Sequence, residues 1–349
     1  MLRLEFRAIE ITKRYPLTIS RGTQASSKNL FVLLSDGSRT GIGELSPSVG
    51  KNWPATQGQC QLEKFFNNQR QLFIAPCPHE IWAAMIEAKI DPPAVAALDV
   101  ALWDLLAKQA EMPLYKLLGL PKAGVGTSVT AGLNPPEVTR ERVPEMLART
   151  GAKSLKVKLG SPEGREYDKQ HFLAAKEAAT PFAVKLRVDA NGGWTVDEAN
   201  QMIPWLADKG VDYVEQPLAE GQEADLPKVF ANRRLPIFVD ESCRFSADVP
   251  KLAHTADGIN LKLMKCGGIT EALRIVATAR AHKLQTMIGC MSETSIAIAA
   301  GAALGALFDH IDLDSHLNLD PDPAAGAPVL DGVITPTDHP GHGGHLLNA

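Results

Sequence analysis

Charged residues recur along the middle of the chain, each near the end of a short apolar run that is typical of a β-strand. They are Lys156 with Lys158, Asp189, Glu215, Asp240 and Lys262. From Lys158 onward the intervals are 31, 26, 25 and 22 residues, each about the length of one repeated βα unit. Because the carboxyl ends of the strands form one mouth in a parallel barrel, we expect these side chains to converge there.

The three carboxylates in this set predict a metal site. Asp189, Glu215 and Asp240 would bring like charges from three successive strands to one point, which is costly unless a cation neutralises them. Ligation by oxygen alone, without His or Cys at equivalent positions, favours Mg²⁺ first and Mn²⁺ second. A single carboxylate of this kind could instead cap the next helix or pair with a lysine, but three in register favour the metal.

The lysines suggest proton transfer. Lys158 precedes the carboxylates and Lys262 follows them, so the two can approach a bound substrate from opposite faces and move a proton on and off one carbon. Lys156 shares a strand face with Lys158, and like-charge repulsion is expected to lower the pKa of both. The metal would bind a substrate carboxylate and stabilise the enediolate that forms when the α-proton leaves. In isolation, a Lys-x-Lys pair is more often a solvated strand end.

The elements that must position these residues are strands and helices in alternation. The predicted strands are Ser128–Ala131, Ser154–Leu159, Ala183–Asp189, Asp212–Glu215, Ile237–Asp240, Gly258–Leu263, Gln285–Gly289 and His310–Leu313. The predicted helices between them include Pro136–Arg149, Glu163–Ala178, Val196–Ala207 and Thr270–His282. Seven or eight such units, with no Gly-x-Gly-x-x-Gly after any strand, favour an α/β barrel over an open doubly wound sheet.

The first third of the chain has a different pattern. Alternating runs at 4–11, 29–34 and 40–45, with an Asp36-Gly37 turn, predict an antiparallel sheet, and residues 93–119 have helical spacing. We therefore expect an α+β domain over residues 1–120 and the barrel over 121–319. The Pro- and Gly-rich tail, 320–349, is expected to return to the N-terminal domain as an ordered loop.

Composition excludes several classes of partner. The net charge of −4 is too balanced for a nucleic-acid or anionic-membrane partner, which leaves a small molecule as the expected substrate. The longest apolar stretch, 296–308, is short for a membrane crossing and predicts a buried helix. The five cysteines are far apart and no signal-peptide core begins the chain, so we expect a cytoplasmic protein without disulfides. The sequence leaves open whether the protein forms a homo-oligomer.

These residues resemble the enolase superfamily, and within it the muconate-lactonising subgroup, over nearly the whole chain. The matching strings are KVKL at 156–159, VDAN at 188–191, EQPL at 215–218, DES at 240–242, and NLK at 260–262 followed by KCGG at 265–268. The resemblance implies a modified TIM barrel, (β/α)7β, with an N-terminal α+β capping domain. It also implies Asp189, Glu215 and Asp240 as metal ligands and Lys158 and Lys262 as the acid/base pair, in agreement with the assignment from the residues.

The substrate is suggested by Asp312 and Asp314, two same-face carboxylates at the end of the last predicted strand that could bind an ammonium group. An Asp-x-Asp there is similar to the one with which dipeptide epimerases hold the substrate's α-amino group. The resemblance to L-Ala-D/L-Glu epimerases adds Arg21 and Thr130 to the substrate-binding set, and we expect Lys156 to belong to that set as well. Arg21 would pair with a distal substrate carboxylate, and the alternative is a solvated loop arginine.

The sequence therefore predicts an isomerase: a metal-dependent dipeptide epimerase that inverts the α-carbon of the C-terminal residue of a substrate such as L-Ala-L-Glu. On the same scaffold, N-acylamino-acid racemase, o-succinylbenzoate synthase and muconate cycloisomerase are the alternatives. None of their substrates brings a free ammonium group that requires Asp312 and Asp314. A metal-stabilised binding protein without turnover is the alternative outside enzymes, but binding alone needs no lysines on two faces. Ser315-His316 follows Asp314 at the place where the family often has Gly-Pro. This departure from the family pattern leaves the preferred dipeptide side chain open.

Overall fold

A computed structural model describes residues 2–47 and 53–347; residues 1, 48–52 and 348–349, which include the last two of the predicted tail, lie outside the described ranges. The chain begins with an antiparallel sheet of β1 (Arg3–Ile19), β2 (Gly22–Ser35) and β3 (Thr40–Leu45), in that order. The hairpin of β1 and β2 is longer than predicted, with an irregular register between Thr12 and Leu17. That irregularity breaks the alternating pattern on which the prediction depended.

Four helices follow this sheet in the chain, and the first and third of them pack on it. They are α1 (Ala55–Asn68), α2 (Pro78–Glu87), α3 (Pro92–Gln109) and α4 (Leu114–Leu117). The predicted helical region 93–119 is confirmed as α3 and α4, whereas α1 and α2 were not predicted. Helix α3 is buried and packs closely on β3. Glycine permits this approach, because a Cβ at Gly41 would overlap the carbonyl oxygen of Ala101 and a Cβ at Gly43 that of Ala97.

Eight parallel strands follow a short strand, β4 (Val125–Gly126), and form one sheet in chain order. They are β5 (Ser128–Ala131), β6 (Ser154–Lys158), β7 (Lys185–Asp189), β8 (Val211–Glu215), β9 (Ile237–Val239), β10 (Gly258–Lys262), β11 (Gln285–Gly289) and β12 (His310–Asp312). A parallel bridge between Thr127 and Ile311 closes the sheet into a barrel. Every predicted barrel strand is confirmed to within two residues at each end.

Helices lie between successive strands, so the predicted (β/α)7β barrel with an N-terminal α+β domain is confirmed. They are α5 (Pro136–Thr150), α6 (Arg165–Ala179), α7 (Val196–Ala207), α8 (Leu226–Phe230), α9 (Val249–Leu252), α10 (Leu263–Cys266), α11 (Ile269–Ala281) and α12 (Ser295–Ala303). Short 3₁₀ turns occupy Arg70–Phe73, Thr180–Phe182, Glu223–Asp225, Ser246–Asp248, Gly305–Leu307 and Ser315–Asn318. Within the described residues, no helix is long and apolar enough to span a bilayer.

The strands place their charged residues in the barrel interior. On β6, Leu155 and Val157 belong to the main apolar core, so the alternating residues Lys156 and Lys158 point into the barrel. Tyr213 on β8, Phe238 on β9 and Met287 on β11 form a separate buried cluster inside the barrel. The charged side chains therefore lie at the carboxyl ends of the strands, where the mouth opens.

The tail forms β13 (Ala324–Ala325), β14 (Val329–Leu330), β15 (Val333–Ile334) and β16 (His345–Leu346). It contacts the N-terminal domain: the Asp320 amide donates to the Thr12 carbonyl (2.9 Å), and the His342 ring Nε2 lies 2.8 Å from the Ile42 carbonyl oxygen. These contacts support our proposal that the N-terminal domain comprises residues 1–120 together with the tail 320–349, around a barrel of residues 121–319.

Candidate active site

Three carboxylates meet at the barrel mouth. Asp189 and Glu215 end β7 and β8, and Asp240 directly follows β9. All three are fully buried, and one oxygen of each lies within 4.8 Å of the others. No other group of this kind occurs among the described residues.

Amide groups orient the three acidic residues, two of them through the carboxylate and Asp240 through its backbone. The Asn260 side chain donates to Glu215 Oε1 (2.7 Å), and the Asn191 backbone N–H donates to Asp189 Oδ1 (2.7 Å). The Asp240 amide donates to the Gln216 side-chain oxygen (2.7 Å). Each acidic residue is thus oriented by a contact outside the triad, as is usual around metal ligands.

The carboxylate oxygens of the triad suit a hard divalent ion. Among the described residues, Glu215 Oε2 and both carboxylate oxygens of Asp240 accept no well-formed hydrogen bond, although lysine ammonium groups lie at ion-pair distance. Three buried carboxylates at one point are costly unless cations neutralise them, and a divalent ion would add to the neutralisation that the lysines provide. An all-carboxylate donor set is the kind that Mg²⁺ prefers, so the residues fit the predicted ion.

The two predicted acid/base lysines lie on opposite sides of the mouth. Lys158 ends β6 and Lys262 ends β10, and these strands lie four places apart in the eight-stranded sheet. Lys158 Nζ lies 2.6 Å from Asp189 Oδ2, and Lys262 Nζ lies 2.8 Å from Asp240 Oδ2. Burial opposes the charge on Lys262, but the Asp240 carboxylate outweighs it and holds the pKa of Lys262 above its usual range.

Lys156 lies at the centre of the charge network. Its Nζ is 2.7 Å from Asp312 Oδ2, 2.8 Å from Glu215 Oε2 and 3.3 Å from an Asp189 oxygen. Burial disfavours its charge, yet these three carboxylates raise the pKa of Lys156 well above its usual value. The prediction that repulsion from Lys158 lowers the pKa of Lys156 is therefore wrong, because anions on neighbouring strands surround it.

The Asp312 and Asp314 side chains face the same cavity, which Thr130, Lys156, Lys158 and Lys262 also line. Asp312 is already engaged: it accepts from Ser128 Oγ (2.5 Å) and pairs with Lys156. Burial, and then the charge of Asp312, raises the pKa of Asp314 to about 6, against a hydrogen bond from Thr130. Asp314 is therefore the carboxylate of the pair that most lacks a counterion.

Arg21 lies in the turn between β1 and β2 and is not among the residues that line this cavity. Its guanidinium donates to the Asn191 carbonyl (2.9 Å) and pairs with Glu241 at 2.6 Å. The neighbouring Ser20 hydroxyl also donates to the Asn191 carbonyl (2.8 Å). These contacts tie the β1–β2 turn to the loops that follow β7 and β9. Binding of a substrate carboxylate by Arg21 stays a prediction.

Comparison with known proteins decides the family. Residues 138–348 match the family described as "Enolase C-terminal domain-like", and residues 3–119 match "Mandelate racemase / muconate lactonizing enzyme, N-terminal domain". The chain belongs to the enolase superfamily. The family predicted from the sequence strings is thereby confirmed.

Relatives of this enolase-superfamily chain match it from end to end. A hydrophobic dipeptide epimerase of Roseobacter litoralis is 55% identical over 349 residues, covering 100% of both chains. Another, from a Flavobacteria bacterium, is 53% identical over 346 residues, covering 99% of this chain and 98% of the relative. The solved dipeptide epimerase of Enterococcus faecalis, complexed with Mg and L-Leu-L-Tyr, is 33% identical with a TM-score of 0.90 and 98% coverage of each chain.

Several polar residues of this enolase-superfamily site were given no role by sequence reasoning. Asn260 was detectable, because it alternates with Lys262 on one strand and so shares its inward face. Lys265 could not be detected from the sequence, because it lies in α10, after the end of β10. Only the fold brings its ammonium group to Asp240 and to the carbonyl of Cys243. Lys13, on β1, lines the cavity from the N-terminal domain.

The contacts of Arg21 lead to a test of its role. We expect Arg21→Ala to lower kcat/KM for acidic and apolar dipeptides by the same factor, about 3- to 10-fold, because it loosens a tie between loops. Glu241→Gln should reproduce that uniform loss, since it removes the other half of the ion pair. A loss confined to Ala-Glu, with Ala-Leu unaffected, would instead assign Arg21 to the substrate.

Proposed function

We propose that this chain is a dipeptide epimerase, an isomerase that inverts the α-carbon of the C-terminal residue of its substrate. One observation carries the proposal: Lys158 and Lys262 face each other across a cavity that also exposes Asp312 and Asp314. The names of the relatives support the same activity, in agreement with the prediction from the sequence.

The acidic pair would hold the free ammonium group of the dipeptide. Asp312 is balanced by Lys156, so the substrate's positive charge is needed chiefly by Asp314. A buried carboxylate with a raised pKa gains most from a cation that enters with the substrate. An N-acyl substrate carries no such cation.

The two lysines would carry the proton. In its neutral form Lys158 removes the α-proton from one face, and Lys262 delivers a proton to the other, with the roles exchanged in the reverse direction. Asp189, Glu215 and Asp240 would hold Mg²⁺, or Mn²⁺ as the second choice for the same oxygen donors. When bound, the ion supplies positive charge that stabilises the substrate carboxylate as the α-proton leaves.

The cavity favours a dipeptide with an apolar side chain. Its apolar wall consists of Leu17, Val129, Met146, Met291 and Leu317. Arg21, the residue expected to hold an acidic side chain, is engaged by Glu241. We therefore place an apolar dipeptide such as Ala-Leu ahead of L-Ala-L-Glu, which accords with the hydrophobic dipeptide epimerases among the relatives.

The proposal is tested by proton exchange. We expect Ala-Leu to incorporate solvent deuterium at the α-carbon of Leu with Mg²⁺ present, and N-acetyl-Ala-Leu to react roughly 5- to 150-fold more slowly for lack of the ammonium contact. NMR of both compounds in D₂O measures this directly. In Asp314→Asn the difference in exchange rate between the free and the acetylated dipeptide should become smaller. Equal use of the two by the wild type would contradict the dipeptide assignment.

We propose the cytoplasm as the location of the enzyme. Its five cysteines are all free, and Cys243 and Cys266 are buried among apolar side chains. A reducing compartment preserves thiols in this state.

A further inference from the structure

Lys13 is a buried cation that faces the substrate cavity from the N-terminal domain. It lies on β1, is 7% exposed, and lines the cavity together with Asp314, Cys290 and Ser292. Its ammonium donates to the Ser292 hydroxyl and to the side-chain oxygen of Gln24 (3.3 Å). Ser292 in turn donates to Gln24 (2.6 Å), so the head of Lys13 is held by two neutral groups.

The other cations that line this cavity all have carboxylate partners. Lys156 pairs with Asp312, Lys158 with Asp189, Lys262 with Asp240, and Arg149 with Glu145. Within residues 2–47 and 53–347, Lys13 has no carboxylate oxygen within 4.0 Å, and two acceptors engage only two of its three N–H groups.

An uncompensated buried ammonium is expensive for the folded chain. Burial lowers the pKa of Lys13 to about 8, so the group still carries its charge for most of the time at pH 7. Lysines that only stabilise a fold extend to water or to a carboxylate. Lys13 does neither, and its anchoring by Gln24 and Ser292 keeps it at the cavity wall.

We propose that Lys13 is a specificity-determining residue that selects among polar dipeptide side chains in this cavity: it favours a carboxylate over the neutral amide of the same length and rejects a cation, while apolar side chains bind the apolar wall. This inference rests on the proposed dipeptide epimerase function. The substrate's ammonium is matched by Asp312 and Asp314, and its carboxylate by the metal site. The side chain is then the part of the substrate whose charge differs from one dipeptide to another, and this is the charge with which Lys13 would interact.

Matched dipeptides and variants test the inference. We compare kcat/KM of wild type and Lys13→Met on Ala-Glu, Ala-Gln, Ala-Lys and Ala-Leu, with the reversed Glu-Ala and Lys-Ala covering the first position. Loss of the charge should lower the preference for Glu over Gln about 10-fold and raise the relative use of Lys about 10-fold, while Ala-Leu changes less than about 3-fold. Lys13→Arg keeps the charge and should keep both preferences.

Lys13→Gln serves as a second neutral variant that can still donate to Ser292, in case the methionine variant does not fold. Equal loss on all dipeptides would overturn the inference, since it would assign Lys13 to the fold or to the peptide carbonyl that every dipeptide shares. Unchanged charge preferences would overturn it as well. If the wild type epimerised none of the dipeptides, the proposed function would fail, whereas calorimetric affinities of the same dipeptides would still measure charge selection by Lys13.

Discussion

Lys158→Ala and Lys262→Ala are each expected to abolish epimerisation, with kcat lowered by about 10²- to 10⁴-fold, the usual contribution of a general acid or base. Inversion needs a proton removed on one face and returned on the other, and these lysines lie four strands apart around the barrel. Removal and return on a single face need only one lysine. We therefore expect each variant to exchange the α-proton of one stereoisomer with solvent without inverting it.

The measurement follows both Leu stereoisomers of Ala-Leu by NMR in D₂O, with chiral chromatography of the product. Lys185→Ala is the matched control, because the Lys185 side chain is 72% exposed at the start of β7 and should leave turnover unchanged. If both active-site variants exchanged the same stereoisomer, or inverted either one at the wild-type rate, the assignment of one lysine to each face would be wrong.

Removal of the divalent ion is expected to eliminate activity and to destabilise the protein. Asp189, Glu215 and Asp240 are fully buried, with lysines as the only cations beside them among the described residues. An ion that binds only the folded chain adds stability, about 2.7 kcal/mol at a hundredfold excess over its Kd. Chelation should therefore lower both the rate and the melting temperature, and added Mg²⁺ should restore both.

The variant Glu215→Gln tests whether the loss of activity and stability after chelation is due to metal bound at the triad. It keeps the size of the side chain but removes one anionic ligand, so Mg²⁺ should raise its melting temperature much less than that of the wild type, and turnover should be lost. Glu177→Gln, on the exposed surface of α6, is the control and should respond to Mg²⁺ as the wild type does. Full activity after exhaustive chelation, or an equal Mg²⁺ response in Glu215→Gln, would contradict the metal site.

The sequence by itself determined the barrel and the order of its charges. A strand buried against helices needs apolar residues such as Leu155 and Val157 on its outer face, and this alternation is a local property of the chain. Because each charge lies at or near the carboxyl end of a strand, the common mouth follows from the barrel rule alone. The strand ends at Asp189 and Glu215 were predictable for this reason.

Only the tertiary structure decided which of these charges are compensated and which are not. Lys156 keeps its charge because carboxylates from other strands surround it, and Arg21 is tied to Glu241 across 220 residues of sequence. Lys13 enters the cavity on a strand of the other domain, 279 residues away from Ser292. Electrostatic energy depends on distance in space, and a pattern within one element carries no information about partners that the fold brings in from another.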